Sequence, residues 1–122
     1  MRKAVTWLTV TAALVTLLSG CKSTEPQYYY GDYTTAVYSY FKADDITLEA
    51  QITALQNVIE QASAKNKPVA PGVHAHLGML YFEAGNPTQG QFHFEQEMQL
   101  FPESAQFLNF LLTSGGIARH ES

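Results

Sequence analysis

The stretch VHAHLGMLYFEAGNPTQGQFHFEQEMQLFP, residues 73–102, decides the fold of this 122-residue chain. Apolar residues recur at helical spacing on both sides of a central break: Val73, Leu77, Leu80, Tyr81 and Ala84 before it, and Phe94, Met98 and Phe101 after it. The break is Gly85-Asn86-Pro87, because glycine ends helices readily, whereas asparagine and proline suit the N-cap and first position of the next helix. With Pro71 as a start and Pro102 as a stop, the stretch predicts two consecutive helices.

Two further helices are predicted upstream. The first runs from Tyr33 to Ala43 after a turn and N-cap at Gly31-Asp32. Its inward face is expected to contain Tyr33, Val37, Tyr40 and Phe41. The second helix is expected to be capped by Asp44-Asp45 and to stop before Pro68. Its single apolar stripe consists of Leu48, Ile52, Leu55, Ile59 and Ala62.

A short fifth helix completes the predicted domain. Ser104 is its expected cap, and its apolar residues are Phe107, Leu108, Leu111 and Leu112. Gly115-Gly116 then begins a tail, residues 115–122, which we expect to be disordered. Because no stretch of four or more residues alternates convincingly between apolar and polar, we predict an all-α domain over residues 31–114, built from about five helices in antiparallel hairpins.

The N-terminus has the order of a secretory signal. Arg2 and Lys3 precede an uncharged apolar stretch from Ala4 to Leu18, which is short of the roughly 20 residues needed to span a bilayer. Leu18-Ser19-Gly20-Cys21 resembles a bacterial lipobox. The resemblance implies that residues 1–20 are removed and that Cys21 is acylated, so that residues 21–30 form a lipid-anchored tether. The alternative is a free thiol in an oxidising compartment.

Lys22 indicates which membrane holds the protein, and the net charge excludes one class of partner. Lipoproteins kept in the inner membrane usually resemble one another in having Asp after the cysteine, and Lys22 therefore favours the periplasmic face of the outer membrane. Loss of residues 1–20, with their two cations, takes the net charge from −4 to −6. Nucleic acid is consequently an improbable partner, because its binding depends on clustered Lys and Arg.

Residues 73–102 also resemble a tetratricopeptide repeat. The resemblance is carried by Leu77, Gly78, Tyr81, Gly85, Phe94 and Pro102, which lie at that family's spacings. Gly90 and Glu97 depart from it, because the family prefers Ala at both positions. It implies that Ala75, Met79 and Phe82 line the concave ligand-binding face. The family's Lys and Asn clamp for a peptide carboxylate is absent, so an apolar ligand is expected.

The mature segment further resembles a family of small bacterial lipoproteins catalogued as a domain of unknown function. Pro71-Gly72, residues 77–81 and residues 101–104 carry this second resemblance. Members of that family tend to be encoded near two other lipoproteins, one of them related to the curli secretion channel. The resemblance therefore implies joint action at the outer membrane, with such a channel-like lipoprotein as a candidate partner.

No residue pattern indicates catalysis, a metal site or a cofactor. His74 and His76 lie two residues apart on one predicted helix and so point about 200° away from each other. The same spacing separates Glu95 from Glu97. We therefore expect the histidines, including His93, to be surface or partly packed residues, and we expect no enzyme activity.

Six of the seven tyrosines lie between Tyr28 and Tyr40. Tyr33 and Tyr40 are expected to be core residues, whereas Tyr28, Tyr29 and Tyr38 fit either a core or a binding platform. The leading hypothesis is a lipid-anchored, non-enzymatic adaptor for another envelope protein. A structural lipoprotein that binds peptidoglycan or lipid is the alternative, and an accessory subunit of an enzyme is the third.

Overall fold

The structure is a computed structural model, and it describes residues 1–7, 24–42 and 46–114. Beyond the helical residues 2–7, five α-helices follow one another. They are α1 (Tyr33–Lys42), α2 (Leu48–Ala64), α3 (Val73–Glu83), α4 (Pro87–Leu100) and α5 (Ala105–Thr113), with a 3₁₀ turn at Pro102–Ser104 before α5. No strand occurs within these described ranges, and an isolated bridge joins Tyr29 to Val69. The predicted all-α fold is confirmed.

The turn between α3 and α4 has the predicted chemistry. Gly85 has a φ of +73°, a left-handed conformation that glycine adopts without strain. The Asn86 side chain accepts a hydrogen bond from the backbone N–H of Gln89 at 3.2 Å, and Pro87 is the first residue of α4. Three residues therefore reverse the chain and cap the second helix of the hairpin.

Two other predicted helix starts were wrong, and a third, Ser104, is at the predicted N-cap position but makes no side-chain bond there. The hydroxyl of Thr47 caps α2, accepting from the Ala50 N–H at 3.2 Å, whereas Asp44 and Asp45 lie outside the described residues. Helix α3 begins at Val73 rather than at Pro71. Ser104 makes no capping bond, because its backbone is already helical within the 3₁₀ turn.

The core consists of two adjoining clusters of buried apolar residues. One contains Val58, Ala62, Val69, Ala70 and Val73, and the other contains Leu55, Leu77 and Leu80. Tyr33 and Ile59 pack against both clusters and so join them. The predicted stripe of α2 and the first part of the predicted stripe of α3 therefore face each other. Ala84 is exposed, contrary to expectation, because α3 has ended one residue before it.

Helices α3 and α4 approach closely because two glycines lie opposite two phenylalanines. A Cβ added at Gly78 would lie 2.5 Å from Phe94 Cδ1 and 2.9 Å from the Gly90 carbonyl oxygen. A Cβ added at Gly90 would lie 2.6 Å from the ring of Phe82. Phe94 is fully buried and meets Phe82 edge to face, with ring centroids 5.3 Å apart. The Gly90 that departs from the repeat pattern thus makes room for Phe82.

Helix α1 is held differently, because none of its residues is fully buried. Tyr33 and Tyr40 pack partly into the core, as predicted. The Tyr40 hydroxyl donates to Glu83 Oε1 at 3.1 Å. Phe41 was expected to face inward and is 79% exposed, while Tyr38 is also exposed. The tyrosines therefore attach one side of α1 and leave the other side open.

The segment before α1 belongs in part to the folded body. Tyr29 donates its backbone N–H to Pro68 and accepts from Ala70, at 2.8 and 3.2 Å. Tyr28 packs edge to face on Phe101, with centroids 5.8 Å apart. The last residues of the predicted tether are thus docked, and both tyrosines are packing residues. Cys21 and the predicted tail, residues 115–122, lie outside the described residues.

Candidate functional site

An open apolar groove of about 210 Å³ lies between α1 and α3. Its lining residues are Tyr33, Val37, Tyr40, Phe41, His76 and Met79. The lining from α1 comes from the face predicted to be inward, and α3 contributes His76 and Met79 from the side next to its core stripe. Five of these six side chains are only partly buried and Phe41 is exposed, so the groove opens to the surface.

His76 provides the one polar side chain that α3 contributes to this groove. Its ring lies against Tyr40 and Tyr33, with centroids 5.0 and 6.3 Å away. Its Nε2 atom is buried and has no hydrogen-bond partner among the described residues. Burial lowers the pKa of His76, and the nearby Glu83 carboxylate partly opposes that effect. A ligand in the groove could satisfy this nitrogen.

The three residues predicted to bind a partner do not lie at one common site in the structure. Met79 lies in the groove. Phe82 lines a different cleft, of about 490 Å³, together with Phe92 and Leu112. Ala75 donates its backbone N–H to Glu97 Oε2 at 3.2 Å and lines neither depression. Of the predicted set, Met79 therefore remains the candidate for direct contact within the groove.

Two buried histidines meet across the α3–α4 interface. His74 and His93 are each 8% exposed, and their Nδ1 atoms lie 2.9 Å apart. The centroids of the two rings are 5.2 Å apart with an interplanar angle of 24°, so the rings meet edge to edge through their Nδ1 atoms, and Tyr81 stacks on His93 at 5.4 Å. The sequence predicted surface or partly packed histidines, and these two are more deeply buried than that, because the hairpin brings together residues on two different helices. Desolvation, with the neighbouring His93, lowers the pKa of His74 to about 4.

Glu97 caps α3 from the neighbouring helix. Gly72, at the N-cap position, has no side chain that could do so. The carboxylate of Glu97 accepts from the Gly72 N–H at 2.6 Å and from the Ala75 N–H at 3.2 Å, although it is 1% exposed. Burial raises the pKa of Glu97, and its backbone hydrogen bonds partly offset the rise.

Of the residues that carry the repeat resemblance, Gly78 and Phe94 meet at this interface. Leu77 and Phe94 are fully buried, and Gly78 lies against the Phe94 ring. The Tyr81 hydroxyl accepts from Gln56 Nε2 at 2.7 Å, which connects the hairpin to α2. Pro102 begins the 3₁₀ turn after α4.

A family model described as "Domain of unknown function (DUF4810)" matches residues 27–111. The chain belongs to this family. The match begins beside the docked Tyr28 and ends within α5, so the DUF4810 region contains the groove and the α3–α4 interface. Neither the curated proteins nor the solved structures contain a match to the chain.

Two structural findings concern other kinds of site in this DUF4810 chain. Within the described ranges, no group of three or more His, Cys, Asp or Glu residues is placed to hold a metal ion. Among those same residues, no helix has both the length and the apolar character needed to cross a membrane.

The spacing of histidines and glutamates along the sequence does not reveal the polar pairs at the interface. Residues two apart on one helix point away from each other, whereas these pairs form between two helices of the hairpin. The signal was nevertheless present, because the predicted turn at Gly85 places residues at similar distances before and after it opposite each other. His74 and His93 satisfy that relation approximately, as do Gly72 and Glu97.

Proposed function

We propose that this DUF4810 chain is a lipid-anchored, non-enzymatic adaptor that binds another envelope protein at the periplasmic face of the outer membrane. The lipid is attached to Cys21, and the partner docks into the groove between α1 and α3. The observation that carries the proposal is the groove itself, which is lined by aromatic residues and Met79 and includes Phe41, which is 79% exposed. Aromatic residues and Met are enriched at protein–protein interfaces, and Met adapts its shape to varied partners.

The groove fits an apolar side chain better than a charged one. A volume of about 210 Å³ accommodates one or two large side chains, and its surfaces are mostly aromatic carbon. The Nε2 atom of His76, which has no hydrogen-bond partner among the described residues, favours a ligand that places a hydrogen-bonding group beside it. An apolar anchor from a protein partner satisfies both requirements.

The dispersed cations favour a protein over a lipid surface. Lys67 pairs with Glu25 at 3.0 Å, while Lys65 lies over the Tyr29 ring, 4.5 Å from its centroid. Lys42 lies over the Tyr38 ring at 5.6 Å. Binding to anionic lipid depends on several clustered cations, and the described lysines form no such cluster. Binding of peptidoglycan or lipid is therefore the alternative that the experiment below must exclude.

The α3–α4 hairpin supports the further proposal that the domain is a divergent tetratricopeptide-like repeat. The close contact of Gly78 with Phe94 is the packing that this resemblance implies. On the second resemblance, to the family of small bacterial lipoproteins, a channel-like lipoprotein related to curli secretion is the partner that we propose to examine first.

Site-specific photo-crosslinking in intact cells tests the adaptor proposal. A photoreactive residue replacing Phe41 should give one dominant protein adduct, because position 41 lies at the groove edge. The matched control replaces Phe110, which is 61% exposed on α5 and outside the groove, and should give little of that adduct. Combining the probe with Met79→Glu should remove the adduct while the thermal midpoint stays close to that of the probe variant alone. Adducts to lipid or peptidoglycan, or equal adducts at both positions, would contradict the adaptor proposal.

The anchor has a separate test. Cys21→Ser should leave an unprocessed or mislocalised precursor, because Leu18-Ser19-Gly20-Cys21 is the processing signal that the sequence offers. Intact mass spectrometry of the membrane fraction measures this. Wild-type protein with an unmodified Cys21 would overturn the proposed lipid attachment.

A further inference from the structure

The pairing of His74 with His93 imposes a limit on how many protons the α3–α4 interface can hold. Their Nδ1 atoms are 2.9 Å apart, a distance at which one nitrogen donates and the other accepts. The contact therefore survives only while at least one Nδ1 is unprotonated. When both rings are protonated, two N–H donors face each other and two positive charges lie in rings whose centroids are 5.2 Å apart.

The surroundings of the pair provide little compensation for a second proton. Tyr81 from α3 covers the outer face of His93, and Phe92 meets the same ring edge to face at 5.1 Å. The nearest buried carboxylate, Glu97 on α4, is already engaged by the N–H groups of Gly72 and Ala75. Glu103 helps to raise the pKa of Glu97. Burial and the charge of Glu97 in turn raise the pKa of Tyr33 on α1.

We propose that the His74–His93 pair is an acid-sensitive latch, which joins α3 to α4 at neutral pH and separates when both rings become protonated. Separation loosens α3, which also forms one wall of the partner groove through His76 and Met79. On the proposed adaptor function, acidification would then release the partner. The latch itself does not require that function, because it belongs to the isolated domain.

The direction of the pH dependence follows from the pKa of each group. Burial lowers the pKa of His74 from 6.5 to about 4 and also lowers that of His93. The neutral rings therefore favour the folded state, and their contribution is fully present above about pH 6.5 and is lost as the pH falls toward about 4. Glu97 acts in the opposite direction, since burial raises its pKa and protonation favours its folded form. Glu97→Gln should consequently steepen the loss of stability in acid.

Urea unfolding of the mature domain at pH 6.5 and pH 5 tests the latch. The unfolding equilibrium constant of the wild type should rise about tenfold over this interval, as expected for one group whose pKa is lowered to about 4. The double variant His74→Asn with His93→Asn removes both titrating rings and should show a much smaller rise. The matched control His76→Asn should retain most of the wild-type rise, although partial burial lowers the pKa of His76 as well. Equal rises in the wild type and the double variant would overturn the proposal.

A second measurement on the wild type does not depend on the variants folding. Nuclear magnetic resonance titration of the ring nitrogens should show His74 and His93 titrating as a coupled pair below the ordinary range. Independent titration of the two rings near pH 6.5 would contradict the latch. A simultaneous shift of both Nδ1 signals on adding stoichiometric zinc at neutral pH would reassign the pair as a metal site and would also overturn it.

Partner release is tested separately by the yield of the Phe41 crosslink. If the latch controls docking, the yield should fall several-fold between pH 7 and pH 5 in the wild type and remain constant in the double variant. The crosslink yield could stay constant in both the wild type and the double variant while the urea test gives the predicted rise. That result would support the latch and overturn its link to partner binding. Absence of any adduct at pH 7 would instead contradict the adaptor proposal.

Discussion

Helices α3 and α4 bury several residues completely, whereas α1 packs against the rest of the domain through one side only. The hairpin has fully buried Leu77, Leu80 and Phe94 between its helices and the core, and the carboxylate of Glu97 completes the start of α3. Helix α1 has no fully buried residue and leaves Phe41 79% exposed. We therefore expect the hairpin to contribute most of the stability, whereas α1 and α3 together line the groove.

The largest expected effect is at the centre of the hairpin. Phe94→Ala should lower the free energy of unfolding by about 3–5 kcal/mol, because it leaves a cavity where the ring now fills the space beside Gly78. Phe110→Ala is the matched control and should change it by less than about 0.5 kcal/mol, since Phe110 is 61% exposed. Urea midpoints measure both. Similar losses in the two variants would mean that the hairpin is not the stable region.

The second effect concerns the glycine at the helix crossing. Gly78→Leu should lower the free energy of unfolding by roughly 1–3 kcal/mol, because the added Cβ alone would lie 2.5 Å from the Phe94 ring. Gly85→Asn is the control, because an added Cβ at Gly85 meets no atom within 4 Å and asparagine tolerates a positive φ. Thermal unfolding distinguishes the two. An unchanged midpoint for Gly78→Leu would show that α3 and α4 do not approach closely.

The smallest effect is expected at the attachment of α1. Tyr40→Phe removes the hydrogen bond to Glu83 and keeps the ring, so we expect a loss of about 0–1 kcal/mol. Circular dichroism with urea titration measures this loss. A cost as large as that of Phe94→Ala would place α1 within the main cooperative core and would remove the contrast between the two regions.

The same contrast explains what the sequence could predict. The hairpin was predictable because Gly85-Asn86-Pro87 and the apolar spacing around it each specify local structure. The exposure of Phe41 was not predictable, because helical spacing identifies an apolar face but does not show how much of it the neighbouring helices cover. The His74–His93 contact and the Glu97 cap depend on tertiary pairing, which comparison within one helix could not detect. The groove combines both cases: Met79 was predicted to bind a partner, but the α1 residues that line the same groove were not.

Hydrogen exchange of the purified chain, resolved by residue, tests the contrast most directly. The account predicts that amides in the middle of α3 and α4 exchange only through global unfolding, because their helices enclose the buried core. Amides of α1 should exchange at least tenfold faster through local opening, since no residue of α1 is fully buried. Equal protection in α1 and in the hairpin would contradict the account, because α1 would then be part of the stable core.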